Sequence, residues 1–273
     1  MWQQEVTLTI DYDFEGVRTR LLNDSLQQQS ADALRIPIRI DEVPWIGQIR
    51  ADDRRTIVLA GDGPKQPMID AMRRRFRLDE SNPALKLKRT TLAPIVETFG
   101  AERLVLDVDP FTALIRSIIH QQINLSFARV LTDRVFRTFG TTIDGVVFPP
   151  TQAELAGASE EQLRALQLSG RKVDYLLRAA TANLDFEQLR QAEDAVIAEQ
   201  LIALKGVGPW TVQNVLMFGY GRRDLFPASD IGILRAFERL NGVRPTVNEA
   251  IVLAEQFAPY RSHAAYLLWR SIE

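Results

Sequence analysis

The sequence predicts an α+β protein: a small antiparallel sheet with helices, followed by a mostly helical body. Three observations predict it. Alternating apolar and polar residues, the mark of half-buried strands, are confined to the first ninety positions. Beyond them the apolar residues recur at helical spacing, and several segments begin with recognisable caps. Near the centre of the helical half, Gly206-Val207-Gly208 makes a glycine hairpin between two periodic segments.

In the first half, Val6-Thr7-Leu8-Thr9-Ile10 alternates as a strand does, and residues 14–26 read as a helix. Residues 34–40 alternate again, with Pro37 pushing that strand towards an edge because proline cannot donate to a ladder. Residues 45–50 and 56–60 predict two more strands, and residues 66–76 an amphipathic helix. Residues 1–89 therefore form a candidate α+β accessory domain, and residues 90–273 a helical domain. Helix starts are predicted near Thr91, Pro110, Ser126, Thr151, Ser159, Ser169, Phe186, Ala192, Pro209, Ser229, Thr246 and Tyr260. Ser159-Glu160-Glu161 supplies a cap and first-turn acids, and Thr246 with Glu249 has capping-box spacing.

Composition narrows the function. The 273 residues are 46% hydrophobic and 25% charged, as in ordinary globular proteins. No apolar run reaches the roughly 18 residues of a membrane helix, and residues 1–5 lack signal-peptide character. A cytoplasmic monomer without membrane contact is expected. With no cysteine, disulfides, thiolate zinc sites and iron–sulfur clusters are excluded; with only His120 and His263, a multi-histidine metal site is not expected. The net charge of −2 weighs against a strongly basic nucleic-acid protein, so DNA affinity must come from local patches and backbone N–H groups.

The hairpin carries the chemistry. Glycine has no Cβ, so the backbone can approach a ligand closely, and N–H groups at a helix start suit a phosphate. A plain helix–helix turn is the competing reading. The carbonyls of Ile202, Leu204 and Val207 are candidate donors to a structural monovalent or divalent cation. Downstream, Ser229 is expected to cap a helix with Asp230 in its first turn, where the dipole favours a charged carboxylate. Such an acid usually serves only its helix. Beside an apolar pocket it also suits stabilisation of an oxocarbenium ion or activation of water. Trp210, Tyr220, Phe226, Tyr260 and Trp269 are candidate pocket aromatics; core packing is the commoner role for each except Trp210, which sits right after the hairpin, where a buried indole is not required.

Residues 201–235, from Leu201-Ile202-Ala203-Leu204-Lys205-Gly206-Val207-Gly208-Pro209-Trp210-Thr211 to Asp230-Ile231-Gly232-Ile233-Leu234-Arg235, resemble the helix-hairpin-helix DNA glycosylase superfamily, of the DNA-3-methyladenine glycosylase II type. Residues 110–123 resemble its minor-groove helix and loop, and residues 259–269 its C-terminal Pro-aromatic-Arg-Ser…Trp motif. The N-terminal half, with Met72-Arg73-Arg74-Arg75-Phe76 and Asn82-Pro83, is similar to the accessory domain of the same enzymes.

The resemblance implies two helical subdomains with the active-site cleft between them. It implies Asp230 as the catalytic aspartate and Trp210 and Trp269 as base-pocket residues. Gly206, Val207 and Gly208 become the phosphate grip. Gln122, or Ile123 beside it, becomes the intercalating wedge. The family's pocket tyrosines fall on Asn214 and Ile231, which leaves the pocket less aromatic. Bifunctional members carry a Schiff-base lysine two residues after the second hairpin glycine, where this chain has Trp210, so a lyase nucleophile is missing. The function expected is a monofunctional glycosylase that flips alkylated purines such as 3-methyladenine or 7-methylguanine from duplex DNA. It needs no cofactor for catalysis. A non-catalytic helix-hairpin-helix DNA-binding module, and a glycosylase of the superfamily for another damaged base, are the alternatives.

Overall fold

Alternation in the first half builds one five-stranded antiparallel sheet, seen in a computed structural model that describes residues 1–24, 26–30, 32–100 and 102–273. Its elements are β1 (Trp2–Thr7), α1 (Phe14–Leu21), β2 (Gln28–Ser30), β3 (Ala33–Ile40), β4 (Val43–Ala51), β5 (Thr56–Gly61) and α2 (Lys65–Phe76). The strand order is β1-β5-β4-β3-β2. The first strand begins earlier than the alternation of residues 6–10 implies, because Trp2 to Thr7 pair with Gly61 to Thr56. The first helix stops at Leu21, and the Asp24 carboxylate then accepts the Leu26 N–H in a turn. Pro37 is tolerated in β3 because β2 pairs only with Ala33 to Arg35, so β3 has only β4 beside it at the proline. α2 lays Met68, Ile69, Met72 and Phe76 on the sheet.

The helical half runs α3 (Ala84–Leu87), α4 (Ala93–Phe99), α5 (Pro110–His120) and α6 (Leu125–Phe139), then a hairpin of β6 (Thr141–Ile143) and β7 (Val146–Phe148). That hairpin lies outside the sequence expectations, although Asp144-Gly145 is a strong turn dipeptide and both residues have positive φ. There follow α7 (Gln152–Ala156), α8 (Glu160–Ala165), α9 (Gly170–Thr181), α10 (Asp194–Ile202), α11 (Pro209–Asn214), α12 (Ile231–Asn241), α13 (Val247–Ala254) and α14 (Arg261–Arg270). Thr151, Ser159, Ser169 and Thr246 cap their helices as the sequence implies. The segment after Phe186 is only a 3-10 turn, and α6 starts at Leu125 because Asn124, not a later serine, accepts the Phe127 N–H.

Three apolar cores result. One lies under the sheet, a second is shared by α5, α6, α9, α10 and α11, and a third by α4, α12, α13 and α14. The two halves interlock: Leu26 is buried in the second core and Val105 in the first. At full burial each such side chain contributes about 1.5–3 kcal/mol.

Candidate active site

Asp230 stands where the second and third cores meet. It is the N-cap of α12, with Oδ1 accepting the Ile233 N–H at 3.0 Å. This corrects the expectation that Ser229 caps and Asp230 lies in the first turn. Ser229 is exposed in the preceding turn, and Asp230 itself has the extended ψ of a cap. The indole of Trp210, from α11, donates its Nε1–H to Asp230 Oδ2 at 2.8 Å. The indole of Trp269, from α14, donates to Oδ1 at 2.9 Å. Three elements distant in sequence thus converge on one half-buried carboxylate. All three donors are neutral, and among the described residues no ion pair involves Asp230. The donors fix its orientation and leave its negative charge without a cation.

The indoles do more than the pocket-wall role the sequence suggests. Their N–H edges hold the carboxylate, and one face of Trp269 stacks on Phe218 with ring centroids 6.0 Å apart. Sequence reasoning missed Gly232. A Cβ there would lie 2.9 Å from Asp230 Oδ1 and 3.1 Å from Trp269 Cδ1, so only glycine leaves room for the carboxylate–indole bond. The available signal was a glycine in the first turn of a helix, where it costs roughly 1 kcal/mol against alanine and forms no turn.

The other candidates separate clearly. Ile231 is 58% exposed beside Asp230. Asn214 is buried, and its Nδ2 donates one hydrogen to the Trp210 carbonyl at 2.8 Å, which leaves its second amide hydrogen and its oxygen for a ligand. Tyr220 and Phe226 are core residues: Tyr220 donates to the Phe186 carbonyl, and Phe226 packs on Phe237 and Phe257. The Tyr260 hydroxyl meets Ser81.

The hairpin joins α10 to α11. Its two glycines have different reasons. Gly206 has φ +86°, and a Cβ there would strike the Tyr175 ring at 2.2 Å, so internal packing by itself already requires glycine. Gly208 has extended backbone, and a Cβ added there would meet nothing within 4 Å, so its backbone is open to a ligand. Val207 is buried in the second core. The Leu204 carbonyl accepts the Val207 N–H at 3.0 Å, which leaves one lone pair for a cation. No group of three or more His, Cys, Asp or Glu able to hold a metal occurs among the described residues.

After α5, Gln122 adopts φ +57° and is exposed, while Ile123 is half-buried and packs back on the second core. His263 is buried and His120 half-buried, and both are held neutral. Burial, reinforced by Arg116, Lys172 and Arg129 around His120 and by Arg77 and Arg103 around His263, pushes each down to about 3.

The fold and site define a helix-hairpin-helix protein with an oriented, unneutralised carboxylate and a hairpin whose Gly208 backbone is open. Comparison with known proteins agrees. The profile of the HhH-GPD superfamily base excision DNA repair proteins matches residues 115–258. YfjP of Bacillus subtilis (strain 168), which carries the provisional name of DNA-3-methyladenine glycosylase, is 34% identical over 290 residues that span 100% of both chains. The structure of 3-methyladenine DNA-glycosylase from Archaeoglobus fulgidus superposes with a TM-score of 0.89 at 24% identity, covering 99% of this chain and 97% of that one. The 8-oxoguanine glycosylase/lyase of Clostridium acetobutylicum bound to duplex DNA shares the fold, with a TM-score of 0.78 at 16% identity over 100% and 98% of the chains. The chain belongs to the HhH-GPD superfamily of base excision DNA repair proteins, and it is a DNA-binding base-excision glycosylase. No helix among the described residues is long and apolar enough to cross a membrane.

Proposed function

We propose that the protein is a monofunctional glycosylase for alkylated purines of the 3-methyladenine and 7-methylguanine type, acting in the cytoplasm as a monomer. The observation that carries this reading is the Asp230 carboxylate held by Trp210, Trp269 and the Ile233 N–H, with no cation to neutralise it. N-alkylated purines are cationic and already have a weakened glycosidic bond. The base departs with the bonding electron pair of C1′–N, and positive charge develops on the sugar. Asp230 stabilises that charge, and a water then adds to C1′. Indole faces suit a cationic base.

Gly208 and the start of α11 grip a phosphate through N–H groups while Gln122 fills the space left by the flipped nucleotide. The exposure and left-handed φ of Gln122, against the packed Ile123, support Gln122 as the wedge. The carbonyls of Ile202, Leu204 and Val207 are hard, neutral donors that suit a low-charge cation shared with the DNA phosphate. Trp210 occupies the place of a lyase lysine, and Lys205 is exposed and paired with Asp174 at 2.9 Å, so release of base leaves an intact abasic strand.

The test is chromatographic identification of free bases released from methylated DNA, with borohydride trapping in parallel. Release of 3-methyladenine and 7-methylguanine without a trapped adduct is expected. Release of 8-oxoguanine alone, or a covalent adduct, would replace this reading by an oxidised-base or lyase activity.

A further inference from the structure

The turn that carries Gln122 and the glycine hairpin are far apart in sequence, yet one side chain joins them. Gln121 donates both amide hydrogens of Nε2, one to the Gly206 carbonyl and one to Thr211 Oγ1, each at 2.9 Å. Gly206 belongs to the hairpin, and Thr211 lies in the first turn of α11 at 1% exposure. From the other side, Lys172 of α9 donates its Nζ to the Gln121 carbonyl at 2.8 Å and to the Ile119 carbonyl, two groups left over at the end of α5. Tyr175, one turn further along α9, fills the space under Gly206. A single helix thus supports both the turn and the hairpin, and Gln121 bolts them together.

We propose that Gln121, seated by Lys172, is a positioning residue that locks the Gln122 turn to the hairpin, so that phosphate grip and base displacement act as one rigid unit. The proposal rests on the glycosylase reading above. Its chemistry is specific. Among neutral side chains, only a primary amide of this length presents two hydrogens from one nitrogen to a carbonyl and a hydroxyl together. Glutamate would set a carboxylate against the Gly206 carbonyl, and methionine would leave both acceptors unpaired. With the bolt broken, the hairpin still holds DNA while the wedge loses its fixed distance from the gripped phosphate. A displacement of about 1 Å is enough to cost roughly a hundredfold in a positioned reaction.

The experiment compares wild type, Gln121→Met, Gln121→Glu, Thr211→Val and Thr211→Ser. It measures melting temperature, affinity for an intact duplex and for one with a tetrahydrofuran abasic analogue, and single-turnover release of 7-methylguanine. Gln121→Met is expected to bind intact duplex within about threefold of wild type. Its preference for the abasic duplex should fall about tenfold and its release of base roughly tenfold to a hundredfold, orders of magnitude set by lost positioning. Gln121→Glu should do no better. Thr211→Val should show a smaller loss of the same kind, which Thr211→Ser restores because it keeps the acceptor. Lys172→Met follows the same pattern if it folds; the Gln121 variants decide the matter without it.

Gln121→Met with wild-type preference and release overturns the proposal. So does a loss of intact-duplex binding as large as the loss of preference, since that reports a damaged hairpin. A wild type that prefers abasic DNA but releases no methylated base overturns the substrate reading alone, and the preference ratio still tests the bolt. A wild type with neither overturns both.

Discussion

Two buried or half-buried carboxylates depend on the same helix, α14, and meet opposite fates. Glu102 is 4% exposed and accepts two bonds from Arg270, at 2.8 and 2.9 Å, and one from the Tyr266 hydroxyl at 2.8 Å. Asp230 accepts from Trp269 of α14, from Trp210 and from a backbone N–H. The first carboxylate is neutralised by a guanidinium and locks the segment between α4 and α5 to the last helix. The second is oriented by neutral donors only, with no cation beside it among the described residues. A cationic partner makes a carboxylate structural; neutral partners leave it available for chemistry.

The largest expected effect tests the available one. Asp230→Asn keeps the cap to Ile233 and removes the charge. Base release should fall by roughly 10²-fold or more, the scale of one electrostatic catalytic contribution, with melting temperature nearly unchanged. Activity within a few-fold of wild type would break the comparison at its functional end.

Glu102→Gln tests the other side. Arg270 would lose its main counter-charge, and a loss of about 3 kcal/mol in unfolding free energy is expected from denaturant titration, with base release per folded molecule intact. Burial pushes the Glu102 carboxyl up, but the hydrogen bonds from Arg270 and Tyr266 and the charges of Arg270 and Arg20 outweigh it and hold the group below its usual range. A depressed folded value means that its stabilisation is present at neutral pH and fades as pH falls below about 4.3, so the variant should also lose that acid-limb slope.

The contrast between packed and open repeats in the hairpin glycines. Gly206→Val forces a side chain into the Tyr175 ring at positive φ and should cost roughly 2–5 kcal/mol of stability. Gly208→Val meets nothing and should change stability by only about 0.5 kcal/mol. Its affinity for duplex DNA should nevertheless drop about tenfold, because a phosphate can no longer reach the backbone. Equal DNA affinity for Gly208→Val and wild type would make the hairpin a structural turn only.

The smallest effect sharpens the comparison with two groups that the fold keeps without charge. His120 and His263 are pushed from 6.5 down to about 3. Between those values the unfolded chain binds protons that the folded chain refuses, so stability must fall as pH drops below 6.5. Each histidine contributes up to about 1.4 kcal/mol per pH unit there. Melting temperatures from about pH 7.5 to 5, the range over which an ordinary histidine takes up its proton, should decline, and less steeply in His263→Asn. A flat profile in the parent protein would show that the histidines are charged in place.

Local chemistry makes much of the fold legible. Thr151, Ser159, Ser169 and Thr246 announce their helices because a cap needs only the residues beside it. Four of the five strands of the first half are legible because alternation is local as well; β2, only three residues long, is not. The ends are less so: α1 stops at Leu21 and β1 starts at Trp2 for reasons that lie in the Asp24 turn and in the register with β5. The β6–β7 hairpin is legible only through its Asp144-Gly145 turn, because its strands are three residues each and too short to show alternation.

By itself the sequence determined the α+β division, most helix starts, and Gly206-Val207-Gly208, Trp210, Asp230 and Trp269 as the residues to watch. Each of these follows from periodicity, from caps and glycines, or from likeness to a motif along the chain. Only the tertiary structure decided that both indoles point their N–H groups at Asp230, that Gly232 makes room for one of them, that Gly206 answers to Tyr175 while Gly208 faces outward, and that Gln121 ties the Gln122 turn to the hairpin. The physical reason is range. Caps and periods are set by neighbours within a turn or two, whereas a hydrogen bond between residues 39 or 85 positions apart depends on how whole helices pack, and nothing in the local sequence states that distance.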